Sequence, residues 1–348
     1  MNRYSFLVLA AALGAGALPA RAEVPRVVTD IAVTASLVQQ VMGDLGQPEI
    51  LLQPGGDPHS YQLRPSQARS LQEAGLLVWV GPQLTPWLQR ATTSLGAPDE
   101  VVTLLDLPGT HRRDYGGGAD DHDHDHDHDH DHDHNHNHNH NHNHNHNHNH
   151  NHNHNHDDGG ADHAGAQDDH GHDHSGTDPH AWLDPANGRA WLDAIAEALS
   201  RRDPQNAATY AANAARAAEE IAALDAELKL RLAPAKGRRF VVFHDAYGYF
   251  TAHYGLEPAI AVSLGDASTP SAARLKAIRD EIAEKAAICA FPEANHDPRL
   301  IAAVTEGSAA RQGAPLDPEG SGSAPGPQLY AEILRGMGEA LADCLTDG

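Results

Sequence analysis

Basic residues are scarce in this sequence, and their scarcity excludes one class of function. Lysine and arginine number 24 against 48 aspartate and glutamate residues, which gives a formal net charge of −24 with histidine neutral. A nucleic-acid-binding protein needs a basic surface to contact phosphates, so we expect no nucleic acid among the partners. A strongly acidic protein is instead suited to handling cations.

Long apolar stretches are also missing beyond the start of the chain. No later segment has the about 20 apolar residues that a membrane-spanning helix needs. Residues 1–22 resemble a secretory signal peptide, because Arg3 is followed by a short apolar core at 6–18 and a small-x-small cleavage site at 20–22. We therefore expect a mature chain that begins near Glu23, does not span the membrane and is free in the periplasm.

Cysteine is limited to Cys289 and Cys344. Neither lies near the predicted cleavage site, so no cysteine is available there to carry a lipid. Two cysteines in an exported protein predict one disulfide, which would join a predicted strand to the last helix and contribute about 4 kcal/mol on the chain-entropy model. Two unpaired buried thiols are the alternative. Metal ligation is the weaker option, because neither cysteine has a C-x-x-C partner.

Histidine is the residue in excess, with 28 in all, and most lie in a two-residue repeat at 121–156. The repeat has no apolar residue to bury and cannot offset the entropy of ordering, so we predict a disordered loop at about 116–177. Imidazole is a common metal ligand, and the loop is expected to bind zinc, nickel or copper in interchangeable arrangements. A neutral repeat expansion is the alternative. Carboxylates alternate with the imidazoles of the proposed accessory metal sites, namely His122, His124, His126, His128, His130, His132 and His134.

Short apolar runs alternate with segments of helical spacing on both sides of this loop, which predicts an α/β fold with parallel sheets. The predicted strands are residues 26–34, 49–52, 76–80, 101–105, 239–243, 259–264, 287–291 and 311–316. Residues 203–232 are rich in strong helix formers and predict one long helix. We therefore expect two lobes, each a parallel sheet flanked by helices, with a ligand cleft between them.

The domain boundaries follow from the same pattern. The expected division is a signal peptide (1–22), an N-terminal lobe (23–186), a linking helical segment (187–235) and a C-terminal lobe (236–348).

Three histidines outside the repeat stand in loops predicted at strand ends. They are His59 in GGDPHSYQLRPS, His180 in DPHAWLDP and His244 in RFVVFHDAYGYF. A proline fixes the backbone directly before His59 and His180, which would hold both imidazoles ready for a ligand. Three neutral imidazoles suit zinc and leave a fourth tetrahedral position for a carboxylate or water.

Two acidic residues are candidates for that fourth position. Asp317, in APLDPEGS, follows the last predicted strand, and Glu293, in FPEANHD, is the alternative. Either carboxylate could instead cap a helix or orient a histidine from behind.

On these motifs the sequence resembles the zinc-specific solute-binding proteins of bacterial ABC transporters, the periplasmic ZnuA type. The resemblance rests on GGDPHSYQLRPSQARSLQEAGLLVWVGP, DPHAWLDP, VVFHDAYGYFTAHYGL, PLDPEG and the two cysteines. It implies two α/β lobes bridged by a long rigid helix, with the metal in the cleft. Its three zinc histidines carry over onto His59, His180 and His244, and its C-terminal aspartate onto Asp317, whose place can be taken by water or another carboxylate.

Two further features of the resemblance bear on the metal. Manganese-binding relatives usually have glutamate at the position of His244, so histidine there favours zinc. Some members have glutamate directly before the first histidine, where this chain has Pro58. A loop rich in histidine and acidic residues is typical of zinc members.

The resemblance implies a monomeric periplasmic receptor that captures Zn²⁺ and delivers it to an ABC-type zinc permease in the inner membrane, without catalysis. The loop is expected to bind additional zinc at lower affinity, as a buffer or collector. One alternative is a periplasmic zinc buffer or chaperone without a transport role. Another is a zinc-dependent hydrolase, although no H-E-x-x-H segment is present and only Asp245 and Glu293 are candidate bases. His111, His253 and His296 receive no role from the sequence.

Overall fold

The computed structural model describes residues 24–115, 176–263 and 270–346. The predicted signal peptide and the histidine repeat with its accessory sites lie outside the described residues. Among the described residues, no helix has the length and apolar character needed to cross a membrane.

The first sheet has four parallel strands in the order β2-β1-β3-β4. These are β1 (Val27–Thr29), β2 (Glu49–Ile50), β3 (Leu76–Trp79) and β4 (Val101–Thr103). Every residue of β3 is buried, as expected for a strand covered by helices on both faces.

Helices α1 (Ala32–Met42), α2 (Pro65–Glu73) and α3 (Pro86–Leu95) complete this lobe. The strand predicted at 26–34 is wrong in its second part, because residues 32–34 belong to α1. Val33, Leu37, Val38 and Val41 are all buried on one face of that helix, and this helical spacing overrides the β-branched residues.

Two long helices follow the repeat, α4 (Pro185–Arg202) and α5 (Ala207–Leu232). The Asp184 side chain caps α4 by accepting a hydrogen bond from the Ala186 amide at 2.8 Å. Helix α5 is 26 residues long, or about 40 Å at 1.5 Å per residue. It begins later than predicted, because 204–206 form a 3₁₀ turn.

The second sheet is also parallel, and its order is β6-β5-β7-β8. Its strands are β5 (Phe240–His244), β6 (Ile260–Ser263), β7 (Cys289–Phe291) and β8 (Arg311–Gln312). The helices of this lobe are α6 (Gly248–Tyr254), α7 (Ala272–Glu284), α8 (Arg299–Thr305) and α9 (Leu329–Thr346). The strand predicted at 311–316 is too long. Regular pairing ends at Gln312, and beyond it the Gly313 amide still donates to the Ala290 carbonyl and an isolated bridge joins Glu293 and Leu316. Pro315 has no amide hydrogen to continue the ladder between them.

Helix α5 packs against α1, α4, α6 and α9. Its buried residues recur every three or four positions, at Tyr210, Ala214, Ala217, Ile221, Leu224, Leu228 and Leu232. They belong to one hydrophobic core that reaches both sheets. The expected α/β fold of two lobes is confirmed, and the two lobes share a core around α5.

The predicted disulfide is present. Cys289, the first residue of β7, is bonded to Cys344 in α9, with 6.1 Å between their Cα atoms. The alternatives of free thiols or thiolate metal ligands are therefore wrong.

Candidate metal centre

The three histidines singled out from the sequence come together at the strand ends of the two sheets. The His180 ring centre lies 5.7 Å from that of His59 and 5.4 Å from that of His244. Two imidazoles on one tetrahedral zinc would have ring centres about 5 Å apart, given Zn–N distances of about 2.0–2.1 Å. The observed distances are therefore slightly longer than those expected between two histidines bound to one zinc ion.

His180 is held by a carboxylate two residues earlier in the chain. Asp178 Oδ1 lies 2.8 Å from His180 Nδ1 and accepts the His180 backbone amide at 3.0 Å. Both side chains are at most 2% exposed. Since a carboxylate only accepts, Nδ1 carries the proton and Nε2 has the lone pair. His180 Nε2 is buried without a hydrogen-bond partner. Buried polar atoms normally have a partner, so this lone pair is available to bind a metal ion.

His244, the last residue of β5, is held in the same way by Glu293. The two Glu293 oxygens lie 2.8 and 2.7 Å from His244 Nδ1, and Tyr247 donates its hydroxyl to the same carboxylate at 2.7 Å. This arrangement again puts the proton on Nδ1 and directs Nε2 away from the carboxylate. Of the three roles considered for Glu293, namely metal ligand, helix cap and orienting carboxylate, the contacts favour orientation of His244 from behind.

Asp317 lies close to His244 but is already engaged. Its oxygens accept from the Ser321 amide at 2.8 Å, the Ser321 hydroxyl at 3.0 Å and the Gly322 amide at 2.8 Å. Among the described residues, no three His, Cys, Asp or Glu side chains lie close enough together to bind one metal ion as they stand. A role for Asp317 on a metal would require it to exchange these turn contacts.

His296 was missed by the sequence reasoning, yet it lines one small cavity with His244, Glu293 and Asp317. Its ring stacks on Phe243 with 4.0 Å between ring centres. Its Nε2 lies 3.7 Å from Glu293 Oε2, on the side of Glu293 rather than that of His180.

The Asp-Pro-His triplets contain a second signal that sequence reasoning missed. Asp57 Oδ1 accepts the His59 amide at 2.8 Å, as Asp178 does for His180. In both triplets the aspartate closes a local turn on the histidine, a common use of this side chain. The recurring triplet therefore points to the orienting carboxylate as well as to the proline.

A further carboxyl group, that of Asp245, directly follows His244 and is partly buried. Burial raises its pKa, and the neighbouring Asp178 raises it further, while His180, Arg113 and His244 oppose the shift. The centre thus combines imidazoles with buried carboxylates, which favours a cation over an anion as its ligand.

A separate ionic network lies outside the centre. His253 on α6 places Nδ1 2.9 Å from Asp184 Oδ1 and Nε2 2.7 Å from Asp225 Oδ1. Burial opposes a charge on His253, but hydrogen bonds to the two carboxylates outweigh it and raise the pKa of His253. His111 Nδ1 contacts the other Asp184 oxygen at 3.0 Å, so two of the three histidines left without a role belong to this network.

Comparisons with known proteins match the chain to zinc-uptake proteins. A family described as zinc-uptake complex component A, periplasmic, matches residues 27–344. The high-affinity zinc uptake system protein ZnuA of Paracoccus denitrificans is 76% identical over 345 residues, which is 99% of each chain. The protein of the same name from Brucella suis is 39% identical over 324 residues, covering 92% of this chain and 91% of that protein.

Solved structures agree on the fold. A mutant, manganese-bound periplasmic metal-binding protein from Candidatus Liberibacter asiaticus matches with a TM-score of 0.67 at 20% identity, over 92% of this chain and 98% of that chain. A mutant laminin-binding adhesin of Streptococcus agalactiae matches with a TM-score of 0.68 at 21% identity, over 92% and 99%. At such identities the likeness shows the two-lobe fold alone.

Proposed function

The chain belongs to the family of periplasmic zinc-uptake complex component A, and we propose that it is the high-affinity zinc-binding receptor of an ABC importer. It captures Zn²⁺ in the periplasm between its lobes and delivers it to an ABC-type permease in the inner membrane, acting as a monomer. Members of this family are transport receptors and not enzymes, so the hydrolase alternative is set aside.

The observation that carries the proposal is the environment of His180 Nε2. This buried Nε2 has no hydrogen-bond partner, it is fixed in place by Asp178, and two more imidazoles lie near it. We propose that His59, His180 and His244 bind the zinc ion. Imidazole ligands suit zinc, copper and nickel and are poor ligands for manganese or magnesium.

The fourth position is open to three candidates. Water needs no rearrangement, whereas Asp317 would have to leave Ser321 and Gly322. Glu293 would have to leave His244 and Tyr247, and both losses would loosen the histidine that it orients. We propose water or Asp317 at this position, with Glu293 as the supporting carboxylate.

Two further parts of the proposal concern the division of the chain and the histidine repeat. Residues 1–22 act as the signal peptide, and residues 23–186, 187–235 and 236–348 form the N-terminal lobe, the linking segment and the C-terminal lobe. The histidine repeat binds additional zinc at lower affinity, as a buffer or collector for the cleft.

The test is a zinc titration against a competing chelator of known affinity, with the mature chain and a variant lacking residues 118–171. This deletion spares Asp114 and Thr177, which form an antiparallel bridge. We expect one tight equivalent in both proteins, weakened by more than about 100-fold in His180→Gln. His111→Gln, a change at a side chain that is 60% exposed, is the matched control and should bind normally.

The same titration separates the alternatives. Loss of all tight binding with residues 118–171 would favour the zinc buffer without a transport role. Full affinity in His180→Gln would contradict the assignment of the cleft.

A further inference from the structure

The chain enters and leaves the long histidine-rich segment through two paired backbone stretches. Asp114 and Thr177 form an antiparallel bridge, and the Asp178 amide donates to the Arg113 carbonyl at 2.9 Å. The incoming stretch therefore lies directly beside the Asp-Pro-His triplet that carries His180.

The Arg113 side chain is held at this junction by α6 of the other lobe. Its guanidinium packs so closely over Gly248 that a Cβ atom there would lie 2.4 Å from Arg113 Cζ, and Cζ is 5.8 Å from the centre of the Tyr249 ring. The Tyr249 hydroxyl accepts the Arg113 amide at 3.0 Å and donates to the Asp178 carbonyl at 2.9 Å. Arg113 has little room to move away from Asp178.

Asp178 is contacted from both sides. Its Oδ1 meets the His180 ring and amide, while its Oδ2 faces Arg113 Nε at 3.9 Å. The carboxylate is only 2% exposed, so this guanidinium and the His180 ring define its orientation in place of water. A shift of the guanidinium would let the carboxylate turn, and the imidazole would follow.

We propose that Arg113 is a positioning residue for His180 and acts through Asp178. Its consequence for zinc rests on the proposed function, but its consequence for the His180 ring does not, because the contact between Asp178 and that ring is itself part of the structure.

A purely electrostatic role for Arg113 predicts a different result. A fixed positive charge near the cleft repels Zn²⁺, so its removal alone would tighten zinc binding, and lysine would substitute for it. A positioning role needs the planar guanidinium that packs over Gly248 and the Tyr249 ring, and lysine lacks this group. Arg113→Lys and Arg113→Gln together therefore distinguish orientation from charge. Arg112→Gln is the charge-matched control, because Arg112 is an exposed neighbour whose guanidinium lies 3.7 Å from the equally exposed Asp106.

The first readout is proton NMR of the mature full-length protein without metal. The Nδ1 protons of His180 and His244, each bonded to a buried carboxylate, exchange slowly with water, and His180→Gln and His244→Gln assign them. We expect both Arg113 variants to speed exchange of the His180 proton at least about tenfold, with the His244 proton and the thermal midpoint nearly unchanged. An unchanged His180 proton, or equal changes at both histidines, would overturn the proposal.

The second readout is zinc affinity by competition with a tight chelator, so that only the tightest site is reported. Both Arg113 variants should bind zinc about tenfold more weakly, as is typical for loss of an outer contact to a ligand, and Arg112→Gln should bind normally. Normal affinity in Arg113→Lys with tighter binding in Arg113→Gln would overturn positioning in favour of charge. A changed His180 proton in a protein that binds no zinc tightly would support positioning and contradict the proposed function.

Discussion

The two lobes use the same strand order and link the same pair of strand ends with a carboxylate, but to different purposes. In the first lobe, Asp30 follows β1 and accepts the Ile31 amide and, across the sheet, the Val80 amide after β3, both at 2.8 Å. In the second lobe, Glu293 follows β7 and accepts from His244 at the end of β5. Only the second link holds an imidazole.

The difference between Asp30 and Glu293 shows how a carboxylate that already stabilises a sheet can also support a binding residue. A parallel sheet that ends beside a cleft leaves backbone amides that need acceptors, and a buried carboxylate serves that need in both lobes. Where the strand ends in histidine, the same carboxylate also fixes the imidazole proton. The first lobe instead supplies its histidine from a loop, with Asp57 bonded to the His59 amide.

The largest expected effect is on the first lobe and concerns stability. Burial raises the pKa of Asp30 from 3.8 to about 6, against the opposing hydrogen bond from Val80. Between about pH 4 and pH 6 the Asp30 carboxyl is therefore protonated in the folded protein but ionised in the unfolded chain. Its contribution to the unfolding free energy falls as the pH rises through this range. Relative to Asp30→Asn, wild-type unfolding free energy should fall by about 3 kcal/mol across this window.

Urea denaturation of both proteins at a series of pH values measures this difference. A difference that does not change with pH would contradict the assignment, and zinc affinity should be the same in both proteins at pH 7.

The corresponding change in the second lobe should act on binding. In Glu293→Gln, one carboxylate oxygen is replaced by an NH₂ group, so His244 Nδ1 keeps a single neutral carbonyl acceptor and loses the negative charge beside its proton. We expect zinc affinity to fall by about 10–100-fold, as measured by chelator competition. Tyr247→Phe removes only the hydroxyl bonded to Glu293 and should have a smaller effect in the same direction. Equal affinity in Glu293→Gln and wild type would remove the functional contrast between the lobes.

The smallest effect is expected where the lobes are joined by His253. Both of its ring nitrogens face carboxylates, so it must be protonated to donate to both. Since its folded pKa is raised above 6.5, its contribution is fully present below about pH 6.5 and is lost as pH rises through the folded value.

His253→Gln tests this assignment. The variant should be less stable than wild type by about 1–2 kcal/mol below pH 6.5, and the gap should close at higher pH. Thermal midpoints at several pH values measure it, with His111→Gln as a control for the more exposed partner of Asp184. A gap that widens with increasing pH would show that His253 is not the charged partner.

Much of this contrast was accessible from the sequence, because local patterns determine it. The apolar runs LLVWV and RFVVFH predicted β3 and β5, and parallel order predicted that the loops after the strands would meet, which brought His59, His180 and His244 together. The end of β1 was misjudged, since Val33 and Thr34 have β propensity but lie on a helical face.

The supporting contacts were not accessible in the same way. Glu293 is 49 residues from His244, and nothing local says which acid will lie behind that ring. Asp317 was chosen from its place after a strand, but its hydrogen bonds to Ser321 and Gly322 depend on the turn that follows. The pairing of His253 with Asp184 and Asp225 depends on the packing of α4, α5 and α6.

The position of α9 has a consequence for biosynthesis. This helix is the last element of the chain, yet it packs against α1 and α5, and Ser36 in α1 bonds to the Tyr330 amide at 3.1 Å. The first lobe therefore lacks part of its core until α9 has been synthesised. A chain that has not yet reached α9 can complete neither lobe, because the Cys289–Cys344 bond that joins this helix to β7 also needs it.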